Sequence, residues 1–403
     1  MSKDRLKIGI FVDTYFPMID GVIVCVDNYA KYLSKHADVT VFTTVVDKSY
    51  EDTSEYKIVR CTSLPIKVAD YALAVPSLDI DFWEELRHAD LDIVHINSPF
   101  TVGISGMRYA RQHRIPAVAT MHSQFETDFK RALKLNPLVE LAKDALITVF
   151  DSADEVWVPN SAVGDVYKSY GGKKEPKVRY NATDMLPVSD PAAAGAQINE
   201  KYGFAEDENV FLFVGRLIRQ KNVFFLADAA AELKKLTDKK FRLVYVGSGP
   251  DEEELKEYVE TLGIFENVLF TGRITERDEL AAMYSRSDVF AFPSLYDANS
   301  LVQIEAASQA TPTLFLHGAV TSSTAKDGVS GYFSDNDSVS YANKLLEIMS
   351  NPIEHEKICE AAYNDVYKSW SVVVPQMLSD YHRIITEHPK PGLIEKIKTF
   401  FAG

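Results

Sequence analysis

The sequence predicts an α/β protein of two doubly wound, Rossmann-like domains facing each other across a cleft. Three observations predict it. Short apolar strands alternate with helix-period segments, and they do so twice, once in each half of the chain. Between the two series, residues 186–209 (LPVSDPAAAGAQINEKYGFAEDEN) turn to Pro, Ala, Gly and charge with weak apolar periodicity, which reads as an interdomain linker. At 403 residues the chain is also longer than one hydrophobic core usually organises.

The first series opens with KIGIFV, a short buried-strand run, and the loop DTYFPMIDG. Val22, Val26, Tyr29 and Leu33 then recur at helical spacing, and DVTVFTT is the next strand. DIVHINS, AVATMH and EVWVPN have the same continuous apolar look, with helical stretches between them, as strands of a parallel sheet do. The second series runs VFLFVGR, NVFFLADAAAELKKL, RLVYVGSG, DEEELKEYVETLG, NVLFTG, ELAAMYSRS and DVFAFPS. Neither half carries G-x-G-x-x-G after its first strand, which argues against a nicotinamide or flavin enzyme.

A net charge of -15 argues against nucleic acid as a partner, because phosphate backbones need a basic surface. The charge is uneven: residues 101–150 hold seven Lys/Arg against four Asp/Glu. Cys25, Cys61 and Cys359 are far apart and odd in number, giving no disulfide framework or zinc spacing and fitting a reducing compartment. MSKDRLKIGIFVD passes from charges straight into a strand without an apolar signal core, and no apolar run approaches the roughly 20 residues that span a bilayer. A soluble, cytoplasmic protein is expected, one still able to lie against a membrane.

Chemistry concentrates in SLYDANSLVQIEAASQATP, residues 294–312. After strand DVFAFPS, Ser300 and Gln303 have capping-box spacing, so a helix should start near Leu301 with Asp297 in the loop before it. Glu305 falls on the second turn, among Leu301, Ile304, Ala306 and Ala307, where a charge is costly. A helix start at the carboxyl end of a parallel strand suits a diphosphate, and the two carboxylates would accept hydrogen bonds from sugar hydroxyls on either side. The competing reading has Asp297 capping a turn and Glu305 solvated. Upstream, Arg216 and Lys221 flank the loop of FVGRLIRQKN, a planar fork and a point charge suited to a diphosphate or, equally, a surface basic pair. Gly247 and Gly249 end the strand in VGSGP and would let a ligand approach the backbone.

With these pieces in this order, the sequence resembles the retaining glycosyltransferases of family 4, which have the GT-B fold. The resemblance covers nearly the whole chain and is carried by DTYFPMIDGV, VGRLIRQKN, YVGSGPDEEELK, LFTGRI and DANSLVQIEAASQATP. It implies that Arg216 and Lys221 neutralise the diphosphate of a nucleotide sugar, that Glu305 holds the ribose and that Asp297 holds the transferred sugar, with Ser300 and Leu301 also among the donor-binding residues. Thr271, Arg273 and Ile274 would lie beside the base, Gly21 would offer its N–H to the phosphates and His122 would face the sugar near its reacting carbon. Without the family, His122 is equally a packed loop histidine. His95 ends a strand facing the cleft and would support the site from behind. Three positions depart from the commonest pattern: Asp297 stands where Glu is usual, and Ser300 and Ala182 where Gly is common. They put the donor sugar in question more than the reaction.

The resemblance further implies domain closure over the donor, front-face transfer with retained configuration, and no metal or other cofactor. It gives an acceptor domain of 1–188, a donor domain of 189–369 and a tail, about 370–403, that crosses back onto the first. DTYFPMIDGV and HSQFETDFKRALKL are similar to bacterial enzymes that glycosylate diacylglycerol. The expected function is hexose transfer from a UDP-glucose-type donor to a membrane lipid, with Lys130, Arg131, Lys134 and Lys143 in 129–147 resting on the inner face of the plasma membrane. The amphipathic GLIEKIKTFFAG would be a second contact. A helix pair with its charges in water explains 129–147 as well. A glycan acceptor and a GT-B sugar-nucleotide epimerase are the alternative functions.

Overall fold

The computed structural model describes residues 5–18, 20–47, 49–68 and 71–389. It divides into two compact units, one formed by the chain up to Tyr180 together with the part from Ser371, the other by Asn181–Trp370.

In the first unit, β1 (Lys7–Phe11), α1 (Gly21–Leu33), β2 (Asp38–Thr44) and β3 (Lys57–Cys61) are followed by an antiparallel ribbon of β4 (Ser63–Val68) and β5 (Tyr71–Ala74). Then come α2 (Ile80–His88), β6 (Ile93–Ile96), α3 (Thr101–His113), β7 (Ala117–Thr120), α4 (Phe125–Leu133), α5 (Asn136–Asp151), β8 (Glu155–Val158), α6 (Ser161–Ser169) and β9 (Lys177–Val178). The main sheet is parallel throughout, in the order β3-β2-β1-β6-β7-β8-β9. Every residue of β6 and β7 is buried, as strands covered on both faces require.

The second unit runs α7 (Pro191–Tyr202), β10 (Asn209–Val214), α8 (Val223–Leu236), β11 (Phe241–Val246), α9 (Glu252–Thr261), β12 (Val268–Gly272), α10 (Arg277–Arg286) and β13 (Val289–Phe292). It continues through α11 (Leu301–Ser308), β14 (Thr313–Leu316), β15 (Tyr332–Ser334), α12 (Ser338–Ser350) and α13 (Pro352–Ala361). Its parallel sheet has the order β12-β11-β10-β13-β14-β15. The stretch 186–209 is therefore no linker. Asp190 caps α7 by accepting from Ala193 N, Pro191 occupies the first turn, and Lys201 and Tyr202 both bind Glu279 on α10 at 2.5 Å. Its weak periodicity reflects a helix that buries only Gly195 and Ile198.

The last described helix, α14 (Trp370–Glu387), belongs to the first unit from Ser371 onward. Tyr381 is fully buried, stacks on Trp157 at 5.4 Å and bonds His95 Nδ1 at 2.7 Å. Asp380 pairs with Arg179 at 2.6 Å and Arg383 with Glu155 at 2.7 Å. The expected tail contact GLIEKIKTFFAG lies outside the described residues. Among the described residues, no helix is long and apolar enough to cross a membrane.

In each sheet the strand order reverses once, between β1 and β6 and between β10 and β13. Such switch points open a crevice at the carboxyl ends of the strands, where ligands bind in open α/β sheets.

Candidate active site

In the second unit, the loops leaving β10 and β13 emerge side by side at the switch point, and they carry the predicted cations and Asp297, with Glu305 on the helix that follows. The β10 loop is held by its neighbour: Gly215 N donates to Val246 O at 3.0 Å and Leu217 N to Ser248 O at 3.1 Å. Leu217 is fully buried, so Arg216 before it is turned outward and exposed. Among the described residues Arg216 has no hydrogen-bond or ion-pair partner. The side chain of Asn222, itself at φ +57°, donates to Pro293 O at 2.9 Å and ties this loop to the one after β13.

Gly247 and Gly249 have a structural duty in the fold itself. A Cβ on Gly247 would sit 1.9 Å from Gly215 O, and one on Gly249 2.0 Å from Leu217 O. The bareness of both serves backbone-on-backbone packing beneath Arg216, and Gly247 at φ +141° needs glycine for its conformation as well. Nothing stands within 4 Å of a Cβ built on Gly21, the first residue of α1, whose start is capped by Asp20 accepting from Ile23 N.

Lys221 ends a short helical turn and meets Asp297, with Nζ 2.9 Å from Oδ1 and 3.1 Å from Oδ2. Ser294 Oγ donates to Asp297 Oδ2 at 2.6 Å, and Lys221 Nζ lies 5.6 Å from the Phe292 ring centroid. The expected diphosphate cation and the expected sugar acid are thus paired with each other.

The helix α11 begins at Leu301 as expected, but the capping box does not form. Ser300 makes no side-chain cap, and the Gln303 side chain turns instead to Thr324 Oγ1 at 3.2 Å. Among the described residues, Gln303 Oε1 and Asn299 Nδ2 are buried without partners. Glu305 is buried, and α10 supplies its counter-ion: Arg277 Nη1 lies 2.8 Å from Oε1 while Nη2 reaches Asp184 at 2.5 Å. Tyr284 OH donates to Glu305 Oε2 at 3.3 Å. Burial pushes the Glu305 carboxyl above the usual range, and Arg277 pulls against it. Arg277 escaped the sequence reading because RDELAAMYSR reads as an ordinary surface helix.

Arg273 is exposed and donates to Ser248 Oγ at 2.8 Å. Thr271 donates to Gly272 O at 2.9 Å, and Ile274 packs, half-buried, on the core of the unit. Ala182 is buried in a segment joined to the chain near 368, where Thr183 N donates to Lys368 O at 3.1 Å.

In the first unit His122 follows β7 and is buried, its Nε2 2.9 Å from Asn97 Oδ1. An amide oxygen only accepts, so Nε2 carries the proton and Nδ1 keeps a lone pair. Burial holds His122 at about 4, so the ring is neutral at physiological pH. His95 is a core residue rather than one facing a cleft. It is fully buried, with Nδ1 on Tyr381 OH and Nε2 on Thr120 Oγ1, both at 2.7 Å.

The membrane block also changes. Lys143 is buried, paired with Glu140 at 3.0 Å and 5.0 Å from the Tyr170 ring centroid, so it is unavailable to an anionic surface. Lys130 and Arg131 pair along α4 with Glu126 at 2.7 Å and Asp128 at 3.3 Å. The block exposes Lys134 and, beside it, an apolar set, Leu135, Leu138 and Leu141 at 61%, 44% and 64%.

Comparison with known proteins meets this geometry at both halves. The model described as Glycosyltransferase Family 4 matches residues 19–185, and that described as Glycosyl transferases group 1 matches 196–365. The two models, one on each half, mark the chain as a glycosyltransferase, similar in its first half to family 4. An alpha-monoglucosyldiacylglycerol synthase of Streptococcus pneumoniae is 27% identical over 354 residues, 85% of this chain and 78% of that protein. One from Acholeplasma laidlawii is 25% identical over 369 residues, 86% and 89% of the two chains. A crystal structure of an Anabaena protein in complex with UDP superposes with a TM-score of 0.77 at 17% identity, covering 94% of this chain and all of the other. This glycosyltransferase has the GT-B fold.

Proposed function

We propose that this glycosyltransferase moves a hexose, with retained configuration, from a nucleotide sugar of UDP-glucose type to a hydroxyl of a membrane lipid such as diacylglycerol. The observation that carries the reading is the gathering of Arg216, Lys221, Asp297 and Glu305 around the β10/β13 switch point. The two cations would take the diphosphate, with Lys221 leaving Asp297 for the phosphates. Freed, Asp297 would accept from the sugar, and Glu305 would accept from the ribose. Asn299 Nδ2 and Gln303 Oε1, without partners among the described residues, suit hydroxyl groups of a polyhydroxylated donor.

In the step itself, the acceptor oxygen bonds to the anomeric carbon as the bond from that carbon to the diphosphate oxygen breaks. The acceptor proton passes to the departing diphosphate. Charge developing on that group is met by Arg216 and Lys221, so the reaction proceeds without a metal. His122, neutral with Nδ1 unprotonated, would accept a hydrogen bond from the sugar.

Similarity to the two alpha-monoglucosyldiacylglycerol synthases supports the lipid acceptor, as does the leucine face of α5. That face suits a peripheral stay at the inner leaflet, the apolar side chains entering the headgroup boundary. The test pairs a thermal-shift panel of UDP, GDP and ADP sugars with product analysis on diacylglycerol vesicles, with and without EDTA. A raised melting temperature with a UDP sugar and an EDTA-insensitive α-linked glycolipid are expected. Transfer only to a soluble glycan, or release of an isomerised sugar with no acceptor, would replace this reading.

A further inference from the structure

Glu305 raises a physical problem that its place on α11 does not solve. A carboxylate removed from water takes up a proton unless a counter-charge holds it ionised. The protonated form is a poor partner for a vicinal diol, because one oxygen then becomes a donor.

The counter-charge comes from the neighbouring helix. Arg277 Nη1 lies 2.8 Å from Glu305 Oε1, and the other end of the same guanidinium lies 2.5 Å from Asp184. The fork is thereby fixed from two sides, a geometry open to arginine and closed to the point charge of lysine. Tyr284, also on α10, donates to Oε2 at 3.3 Å. A carboxylate offers about four lone-pair sites, so Arg277 and Tyr284 occupy one on each oxygen and leave the others open. Beyond Arg277, Tyr284 and Asp184, the turn Ala362–Val366, which also packs on α11, carries one further acid, Asp365.

We propose that Arg277 is a positioning residue for nucleotide recognition: its guanidinium, braced by Asp184, keeps the buried Glu305 in its charged, acceptor-only form and aims its open lone pairs at the ribose hydroxyls. The proposal rests on the reading above that Glu305 takes the ribose. Arg277 does not touch the reacting atoms; it acts through Glu305.

The experiment is calorimetry at pH 6.0, 7.0 and 8.5, using whichever of UDP, GDP and ADP most raises the melting temperature of the full chain. Wild type should vary less than about threefold in Kd across this range. Arg277→Met should bind at least about tenfold more weakly at pH 6.0 than at 8.5, because Glu305 must now lose its proton before it can accept. Arg277→Lys restores the charge without the two-sided brace, so it should flatten the pH profile while leaving Kd weaker than in wild type at every pH. Glu305→Gln, which mimics the protonated acid without disturbing Arg277, should bind weakly and equally at all three pH values. It keeps the proposal testable should Arg277→Met fail to fold.

An Arg277→Met protein that tracks wild type at every pH, or a Glu305→Gln protein that binds like wild type while Glu305→Ala does not, overturns the proposal. If no nucleotide raises the melting temperature, or Glu305→Ala binds it as the parent does, the ribose reading has failed, and the inference falls with it.

Discussion

Lys221 and Asp297, 76 residues apart in sequence, form a close ion pair in the second unit, Nζ standing 2.9 and 3.1 Å from the two carboxylate oxygens. Both side chains are mostly buried, at 16% and 17% exposure. On the proposed reading, Lys221 would exchange that partner for a phosphate and release the acid to a sugar in the same event, coupling the two binding steps through one contact.

Asp297→Asn separates them. The bare nucleoside diphosphate should bind as tightly as before or more so, because Lys221 loses its competitor. The nucleotide sugar should lose about tenfold, the worth of one charge-assisted hydrogen bond. Calorimetry on both ligands checks this, and a tenfold loss for the bare nucleotide would contradict the assignment.

The glycines differ sharply in what they tolerate. Gly247→Ala places a methyl group 1.9 Å from Gly215 O at φ +141° and should cost about 2–4 kcal/mol in a urea titration. It should also weaken nucleotide binding by shifting the loop that presents Arg216. Gly21→Ala meets open space at a helix start and should change stability by less than about 1 kcal/mol. A large stability loss there would show that the α1 start is packed differently.

Acid should unfold the first unit through its histidines. Burial holds His122 at about 4; burial, with His122 nearby, holds His95 at about 3, both below the ordinary 6.5. In the unfolded chain they take up protons from about pH 6.5 downward, so acid favours that state. Each contribution is whole above pH 6.5 and falls by about 1.4 kcal/mol per pH unit down to the folded value. Chemical denaturation of wild type and His122→Gln between pH 7.5 and 5.0 should show the shallower slope in the variant. Equal slopes would mean His122 is charged or exposed in the fold.

The exposed leucines of α5 give a surface test. Leu138→Ser with Leu141→Ser should lower cosedimentation with anionic vesicles at least about tenfold while leaving the melting temperature within about 2 °C, since both side chains already face water. Unchanged vesicle binding would remove α5 from the membrane reading.

Periodicity made both parallel sheets legible and, with them, the loops that carry Arg216, Lys221 and Asp297; the start of α11 at Leu301 was read from a capping-box spacing that the fold does not use. Short apolar runs ending in Gly, Pro or polar residues report buried strands directly. Pairings distant along the chain left no such signal. The counter-ion of Glu305 sits 28 residues upstream, and the carbonyls beneath Gly247 and Gly249 lie more than thirty residues before them. Lys143 looked like a surface cation because Tyr170, the ring it covers, comes from another helix boundary altogether. Stretch 186–209 looked like a linker because a helix that buries so little has almost no apolar stripe to show.

The contact between His95 and Tyr381 spans 286 residues. On the ribosome, β6 therefore emerges long before the side chain that will seal it, and the continuous 181–370 unit is available to fold in the interval. The half that is translated first is completed last, and until then its sheet, with β8 and its Trp157 uncovered, is the surface a chaperone would meet.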